Sequence, residues 1–553
     1  MNLGSRITQF LQELPPPKTR DLTVERDLTV PMRDGAALLA DRWHPRSGGD
    51  GLPTALIRTP YGRSGVLALQ TAKPLAERGF QVVIVSTRGT FGSAGPFDPF
   101  LCERADGLDT LDWVVEQSWF GESIILVGAS YVGYVQWAVA DAVPHQVKAM
   151  IPVVSNSTFS VGFLHKDRFS LETPFTWGVQ VERQERWLPN LRNALEERKI
   201  LRGLHTLPLN QADITVLGHH NDYIQNILDH EAEDPFWQAA DHAGRVADIT
   251  LPASLVGGWY DLFLPNQLRD FKTLHEAERP SGSSASCVPG AGPYRVTIGP
   301  WPHWTMEMDG VAAREALEFG MALACGEQPP DRAPVRLFVM GQEEWRDFPA
   351  WPPAGYAQQR LHLQPGGALI NGLPIDSAPD GYHYDPADPT PAVGGVRMWS
   401  LQKCGRVNND RLEARQDVLT YTTAVLDQDV EVIGEVSAEI FFRSSLPYAD
   451  VFVRLCDVDE KGRSVNVCDG LISLSDANQV TCAKVQLWPT AFRFKRGHCI
   501  RVQVSSGAFP RYNRNPGTGE PRATATTLRA ANQQVLHDPE HPSAIILPIR
   551  QPN

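Results

Sequence analysis

Three residue types that together can carry out acyl transfer occur in order along this chain. Ser130 lies in "SIILVGASYVGYVQWAVA" (123–140), Asp261 in "ASLVGGWYDLF" (253–263) and His303 in "YRVTIGPWPHW" (294–304). A serine hydroxyl is a poor nucleophile until a base takes its proton. An imidazole serves as that base when a carboxylate fixes its tautomer and stabilises the imidazolium. Gly-x-Ser alone is weak, since it occurs at Ser64, Ser123, Ser130, Ser284 and Ser464. Only Ser130 follows an apolar strand-like run, Ile124 to Val127, and opens a helix-forming stretch, which is the setting of a nucleophile elbow. Gly128 leaves room for the tight turn. The Tyr131 amide falls at a helix N-terminus, where an unpaired N–H with positive partial charge suits a developing oxyanion. One feature departs from plain G-x-S-x-G: Val132 takes the second glycine position and Gly133 follows.

In this arrangement the acid and the histidine follow the serine in chain order, at the ends of later strands. That selects Asp261 and His303 as orienting acid and general base. The sequence has 15 histidines, so a lone one is uninformative. His205, His219, His220 and His230 fall off any strand end. Asp270 and Asp222 are the alternatives for the acid.

These residues need elements to hold them. "LTVERDLTVPM" and "AALLADRWHP" flank Arg33-Asp34-Gly35, an Asp-Gly hairpin signal. Short, nearly continuous apolar runs follow: "TALIRT" (54–59), "FQVVIVS" (80–86), "SIILVG" (123–128) and "VKAMIPVV" (147–154). Helical stretches at 66–78, 103–118 and 131–142 separate them, so a parallel sheet covered on both faces is expected. From 156 to 248 strand signals are few and helical ones dominate. Two more buried runs, "PASLVGG" and "YRVTIG", then resume the sheet. The simplest organisation is an α/β core (1–155 and 249–325) interrupted by a helical cap (156–248). The segment 278–294, rich in Ser, Gly and Pro, reads as a loop. From about 333, "VRLFVMG", "RLHLQPG", "ADVFVRLCDV" and "CIRVQVSS" give an all-β domain (333–553), a sandwich or jelly roll.

At 553 residues the chain supports about three or four units. Fifty-one basic against 64 acidic residues give a net charge of −13, which argues against nucleic acid or an anionic membrane as partner. No apolar run is long enough to span a bilayer, and the N-terminus lacks a signal-like apolar region, so a cytoplasmic location is expected. The eight cysteines are scattered without metal-ligand spacing and read as small residues in a reducing compartment.

Several stretches together resemble the X-Pro dipeptidyl-peptidase superfamily, specifically its cocaine-esterase-like hydrolases: "VPMRDGAALLADRWHP", "LIRTPYG", "STRGTFGSAGPF", the block from "ERADGLDTLDWVV" through "GASYVGYVQW", "GGWYDLF" and "GPWPHW". The likeness runs from about residue 21 to the C-terminus. It implies an α/β-hydrolase core with an inserted helical cap and a C-terminal all-β jelly-roll domain. It also implies a second oxyanion donor, the hydroxyl of Tyr61, beside the Tyr131 amide. Ser86 departs from the family's frequent Asp before Thr-Arg-Gly, so a changed structural hydrogen bond is expected there. Aromatics at the start of the cap (Phe159, Phe163, Phe169, Phe175, Trp177) and Phe263 beyond the acid suggest an apolar or aromatic acyl pocket. Trp177 and Phe263 are the leading candidates for its lining. The expected chemistry is hydrolysis of a small-molecule ester or amide through an acyl-enzyme, with no metal or organic cofactor. X-Pro dipeptidyl-peptidase or acylase activity and a catalytically silent binding scaffold are the alternatives, and a homo-oligomer is left open.

Overall fold

The computed structural model describes residues 3–158, 168–185, 197–277, 294–398 and 404–551. Phe159, Phe163, Ser284, Cys287 and the loop 278–293 lie outside the described residues.

A ten-stranded mixed sheet forms the core. The hairpin β1 (Leu22–Pro31) and β2 (Ala37–Pro45) stands at one edge, joined by the turn at Gly35, whose φ is +86°. β2 runs antiparallel to β4 (Gln81–Ser86). From there β3 (Thr54–Thr59), β5 (Ile124–Ala129), β6 (Val147–Val153), β7 (Ala253–Tyr260) and β8 (Tyr294–Pro302) are mutually parallel, in the spatial order β4-β3-β5-β6-β7-β8. Every residue of β3, β4 and β7 is buried. That is why these strands read as continuous apolar runs rather than alternating ones. Helices α1 (Glu103–Val115), α2 (Tyr131–Trp137), α3 (Glu172–Arg183), α4 (Leu264–Glu276) and α5 (Met306–Glu315) include those that cover the sheet and the site.

The stretch "VRLFVMG" differs from the sequence expectation. Val335–Val339 (β9) pairs in parallel with β8, and Glu344–Phe348 (β10) pairs antiparallel with β9. The core sheet therefore extends past residue 325, to 348. An apolar alternation records which face of a strand is buried, not which strand it bonds to.

Between β6 and β7 the described chain is helical, with α3, Glu197–Leu204, Ala212–Leu217 and Asp222–Asp229 among its elements. This cap is tied to its base by a bridge between Thr158 and Asp241 and by His242 N–H, which donates to Ser157 O at 2.9 Å. The C-terminal third is all-β, built on a thirteen-stranded sheet around buried residues such as Val432, Ile440, Phe442, Phe492 and Phe494. Its loops reach the cap. Leu171 N–H donates to Arg511 O (2.9 Å), Glu172 N–H to Pro510 O (3.1 Å) and Asn513 N–H to Phe169 O (2.9 Å). Arg397 Nε donates to Glu172 Oε2 at 2.8 Å, with a second contact from its Nη2 to Oε1. Among the described residues no helix is long and apolar enough to cross a membrane.

Candidate active site

The carboxyl ends of β3, β5, β7 and β8 deliver Tyr61, Ser130, Asp261 and His303 to one rim of the sheet. Ser130 caps the start of α2 with φ +59° and ψ −124°, a conformation that side-chain-bearing residues rarely adopt. Tight packing enforces the bend. A Cβ on Gly128 would lie 2.1 Å from a Val132 methyl, and one on Gly133 would lie 2.3 Å from Ser155 Oγ. The turn is held by Ser130 N–H, which donates to Val153 O at 2.9 Å on the neighbouring strand. Tyr131 N–H is a first-turn amide of α2 with no intrahelical acceptor available to it.

His303 joins the other two side chains. Its Nε2 is 3.0 Å from Ser130 Oγ, and its Nδ1 is 2.5 Å from Asp261 Oδ2. Asp261 is fully buried. Its Oδ1 accepts from Phe263 N–H at 2.8 Å, and its backbone carbonyl accepts from Trp488 Nε1–H at 2.9 Å. Both carboxylate oxygens and the main chain are thus fixed. The alternatives lie elsewhere. Asp270 accepts from Ser157 N–H and Oγ–H, and Asp222 sits in the first turn of a cap helix. His219, His220 and His230 pair with Glu182, Asp213 and Asp234.

Tyr61 lies beside Ser130. Its hydroxyl accepts from Trp177 Nε1–H at 3.0 Å and is within hydrogen-bonding reach of Ser130. Desolvation pushes the phenol up to about 12, against the pull of those two hydrogen bonds, so it remains a neutral donor. Below the elbow, Tyr131 O–H donates to Glu103 Oε1 (2.6 Å), and Arg58 Nη2 donates to Glu103 Oε2 (2.7 Å). Burial raises the Glu103 carboxyl and the Tyr131 phenol, the latter well above its usual range.

Trp177 and Phe263 both line the pocket around Ser130, with Phe100, Tyr134, Tyr223, Leu262 and Met398. Trp177 stacks on Tyr131 with centroids 5.9 Å apart at 12°, and Phe263 meets the His303 ring edge-on at 5.6 Å. Phe169 and Phe175 are buried but are not among the lining residues. Sequence reasoning missed Asn156 and Ser155, which also line it. Their place just past the end of β6, the strand beside the elbow, was the available signal. At Ser86, the hydroxyl accepts from Arg63 Nη1 (2.7 Å), while Asp41 takes the same guanidinium's Nε–H (3.0 Å).

Comparison with known proteins follows the same lines. Residues 34–305 match the profile of the X-Pro dipeptidyl-peptidase (S15) family, and residues 330–546 that of the X-Pro dipeptidyl-peptidase C-terminal non-catalytic domain. A cocaine esterase from Rhodococcus sp. (strain MB1 Bresler) is 30% identical, over 95% of this chain and 98% of its own length. Among solved structures, an aminopeptidase from a marine sediment archaeon, Thaumarchaeota archaeon, superposes with a TM-score of 0.81 at 22% identity, covering 97% of this chain and 98% of that one. An α-amino acid ester hydrolase superposes with a TM-score of 0.80 at 22% identity and the same coverage. These two show a shared fold.

Proposed function

The chain belongs to the X-Pro dipeptidyl-peptidase (S15) family, and from that premise we propose that it hydrolyses carboxylic esters through an acyl-enzyme on Ser130. The observation that carries the reading is the contact series from Ser130 Oγ to His303 Nε2 (3.0 Å) and from His303 Nδ1 to Asp261 Oδ2 (2.5 Å). His303 takes the hydroxyl proton at Nε2 as Ser130 Oγ attacks the acyl carbon. Asp261 accepts from Nδ1–H, fixing the tautomer and stabilising the imidazolium. The tetrahedral oxyanion receives hydrogen bonds from the Tyr61 hydroxyl and the Tyr131 amide. His303 then gives its proton to the departing alcohol. Water, activated by the same imidazole, releases the acid.

An ester with an uncharged acyl group fits better than a peptide with a free N-terminus. Among the described residues, those lining the pocket include no Asp or Glu to hold an α-ammonium. Glu172, next to the lining residue Thr173, is already paired with Arg397. The relative at 30% identity also bears the name of an esterase.

The test is labelling with a fluorophosphonate probe read by intact mass. Wild type should gain one adduct and Ser130→Ala none. An unlabelled wild type would sink the reading in favour of a silent scaffold. His303→Ala should lower kcat/KM for p-nitrophenyl butyrate by several orders of magnitude. That ester should turn over faster than an Ala-Pro anilide, and the reverse order would favour exopeptidase activity.

A further inference from the structure

Most of the pocket wall is aromatic or aliphatic, and Asn156 interrupts it. This residue is 2% exposed and lies three positions beyond the end of β6. Its Oδ1 accepts from Thr158 N–H at 3.2 Å. That bond orients the amide, because the opposite assignment would set an NH2 group against an N–H. Nδ2 is then the end left over, and it has no hydrogen-bond partner. Among the described residues, no other pocket-lining side chain leaves a buried polar atom unpaired.

The loop that carries Asn156 is fixed on its far side. Asp270 accepts from Ser157 N–H at 2.7 Å and from Ser157 Oγ–H at 3.0 Å. Ser157 O accepts from His242 N–H at 2.9 Å, and Thr158 is bridged to Asp241. With the loop fixed in this way, turning the amide would give up its bond from Thr158 N–H. A buried donor without an acceptor is costly, and a ligand atom that satisfies it recovers that cost.

Resting on the ester-hydrolase reading above, we propose that Asn156 is a specificity-determining residue. It selects acyl groups that carry an uncharged hydrogen-bond acceptor, such as a ketone, ether or hydroxyl oxygen, on an otherwise apolar chain or ring. A plain hydrocarbon acyl group leaves the amide unsatisfied. An anionic acyl group has no Lys or Arg among the described lining residues to receive it.

The test uses p-nitrophenyl esters in near-isosteric pairs: 4-oxopentanoyl against pentanoyl, and 3-methoxypropanoyl against pentanoyl. Each kcat/KM is divided by the ester's alkaline hydrolysis rate to remove intrinsic reactivity. Wild type should favour at least one acceptor ester by about tenfold or more. Asn156→Asp keeps the oxygen that accepts from Thr158 N–H and replaces the donor with a second oxygen, so the preference should vanish or invert. Asn156→Leu should also abolish it. Fluorophosphonate titration sets the active concentration of each variant, and where a variant does not titrate the wild-type ratio decides. A wild type with no preference for either acceptor ester overturns the proposal, as does a preference that survives both substitutions. If Ser130 labels and the esters turn over without discrimination, only this inference fails. If Ser130 does not label, the underlying reading fails with it.

Discussion

Trp177 does more than line the pocket. Its indole N–H occupies one lone pair of the Tyr61 hydroxyl, so the phenolic proton is left for the side where Ser130 lies. Two substitutions separate the parts. Tyr61→Phe removes the donor and should lower kcat by about 10²–10³ with little change in KM. Trp177→Phe keeps a ring in place but releases the hydroxyl, and a smaller fall in kcat, about tenfold, is expected. The pH profile gives an independent check. With the phenol at about 12, Tyr61 stays protonated through the working range, so its ionisation contributes no alkaline loss of kcat below about pH 11. An alkaline inflection near pH 9 that disappears in Tyr61→Phe would contradict this. Of this constellation, the sequence allowed Ser130, Asp261 and His303 to be named, because each sits where a buried strand ends. The link from Trp177 to Tyr61 was not legible, since it spans 116 positions and joins a cap helix to a core loop.

At the scale of elements, the elbow tolerates little. Gly133→Ala would set a methyl 2.3 Å from Ser155 Oγ and 2.6 Å from its Cβ. Overpacking of this kind costs about 1–3 kcal/mol. A lowered apparent Tm and a reduced fraction of fluorophosphonate-reactive protein are the expected readouts. The base of the cap carries a titrating contact. His242 is buried with Nε2 3.0 Å from Tyr134 Oη and Nδ1 3.1 Å from Arg245 Nη1. Desolvation, then Arg245, lowers its pKa from the ordinary 6.5 to about 4. The unfolded chain therefore binds this proton between those values while the folded one does not. The stability from a neutral His242 is complete above pH 6.5 and lost as pH falls through 4, about 3 kcal/mol in all. His242→Gln should flatten the pH dependence of apparent Tm between pH 4 and 6.5, and an unchanged slope would refute the assignment. The core strands were legible because each is a short apolar run between polar turns: "TALIRT" coincides with β3. β9 was not, because "VRLFV" fits either sheet.

At the scale of the whole molecule, two contacts from the C-terminal region reach the acid loop and the pocket wall. Trp488, 227 positions away in the all-β region, donates to the carbonyl of Asp261. Arg397 reaches Glu172 at the start of the cap helix that bears Trp177. Both members of that pair are nearly buried, so Glu172→Gln leaves a guanidinium without its countercharge. The expected loss is about 3 kcal/mol, read as a lowered apparent Tm together with a raised KM. Trp488→Phe should lower kcat severalfold without preventing fluorophosphonate labelling, since it frees the loop that aims the carboxylate. A wild-type kcat in that variant would remove the all-β region from this role. Neither contact could be read from sequence, because no local pattern marks a partner in another domain. The backbone bonds between 169–172 and 510–513 carry a practical consequence for engineering. Main-chain bonds impose a backbone path rather than a side-chain identity. A chimera that grafts the cap of one relative onto the C-terminal region of another therefore keeps this pairing where the two backbones run alike, and transplanting both segments together is the way to ensure it.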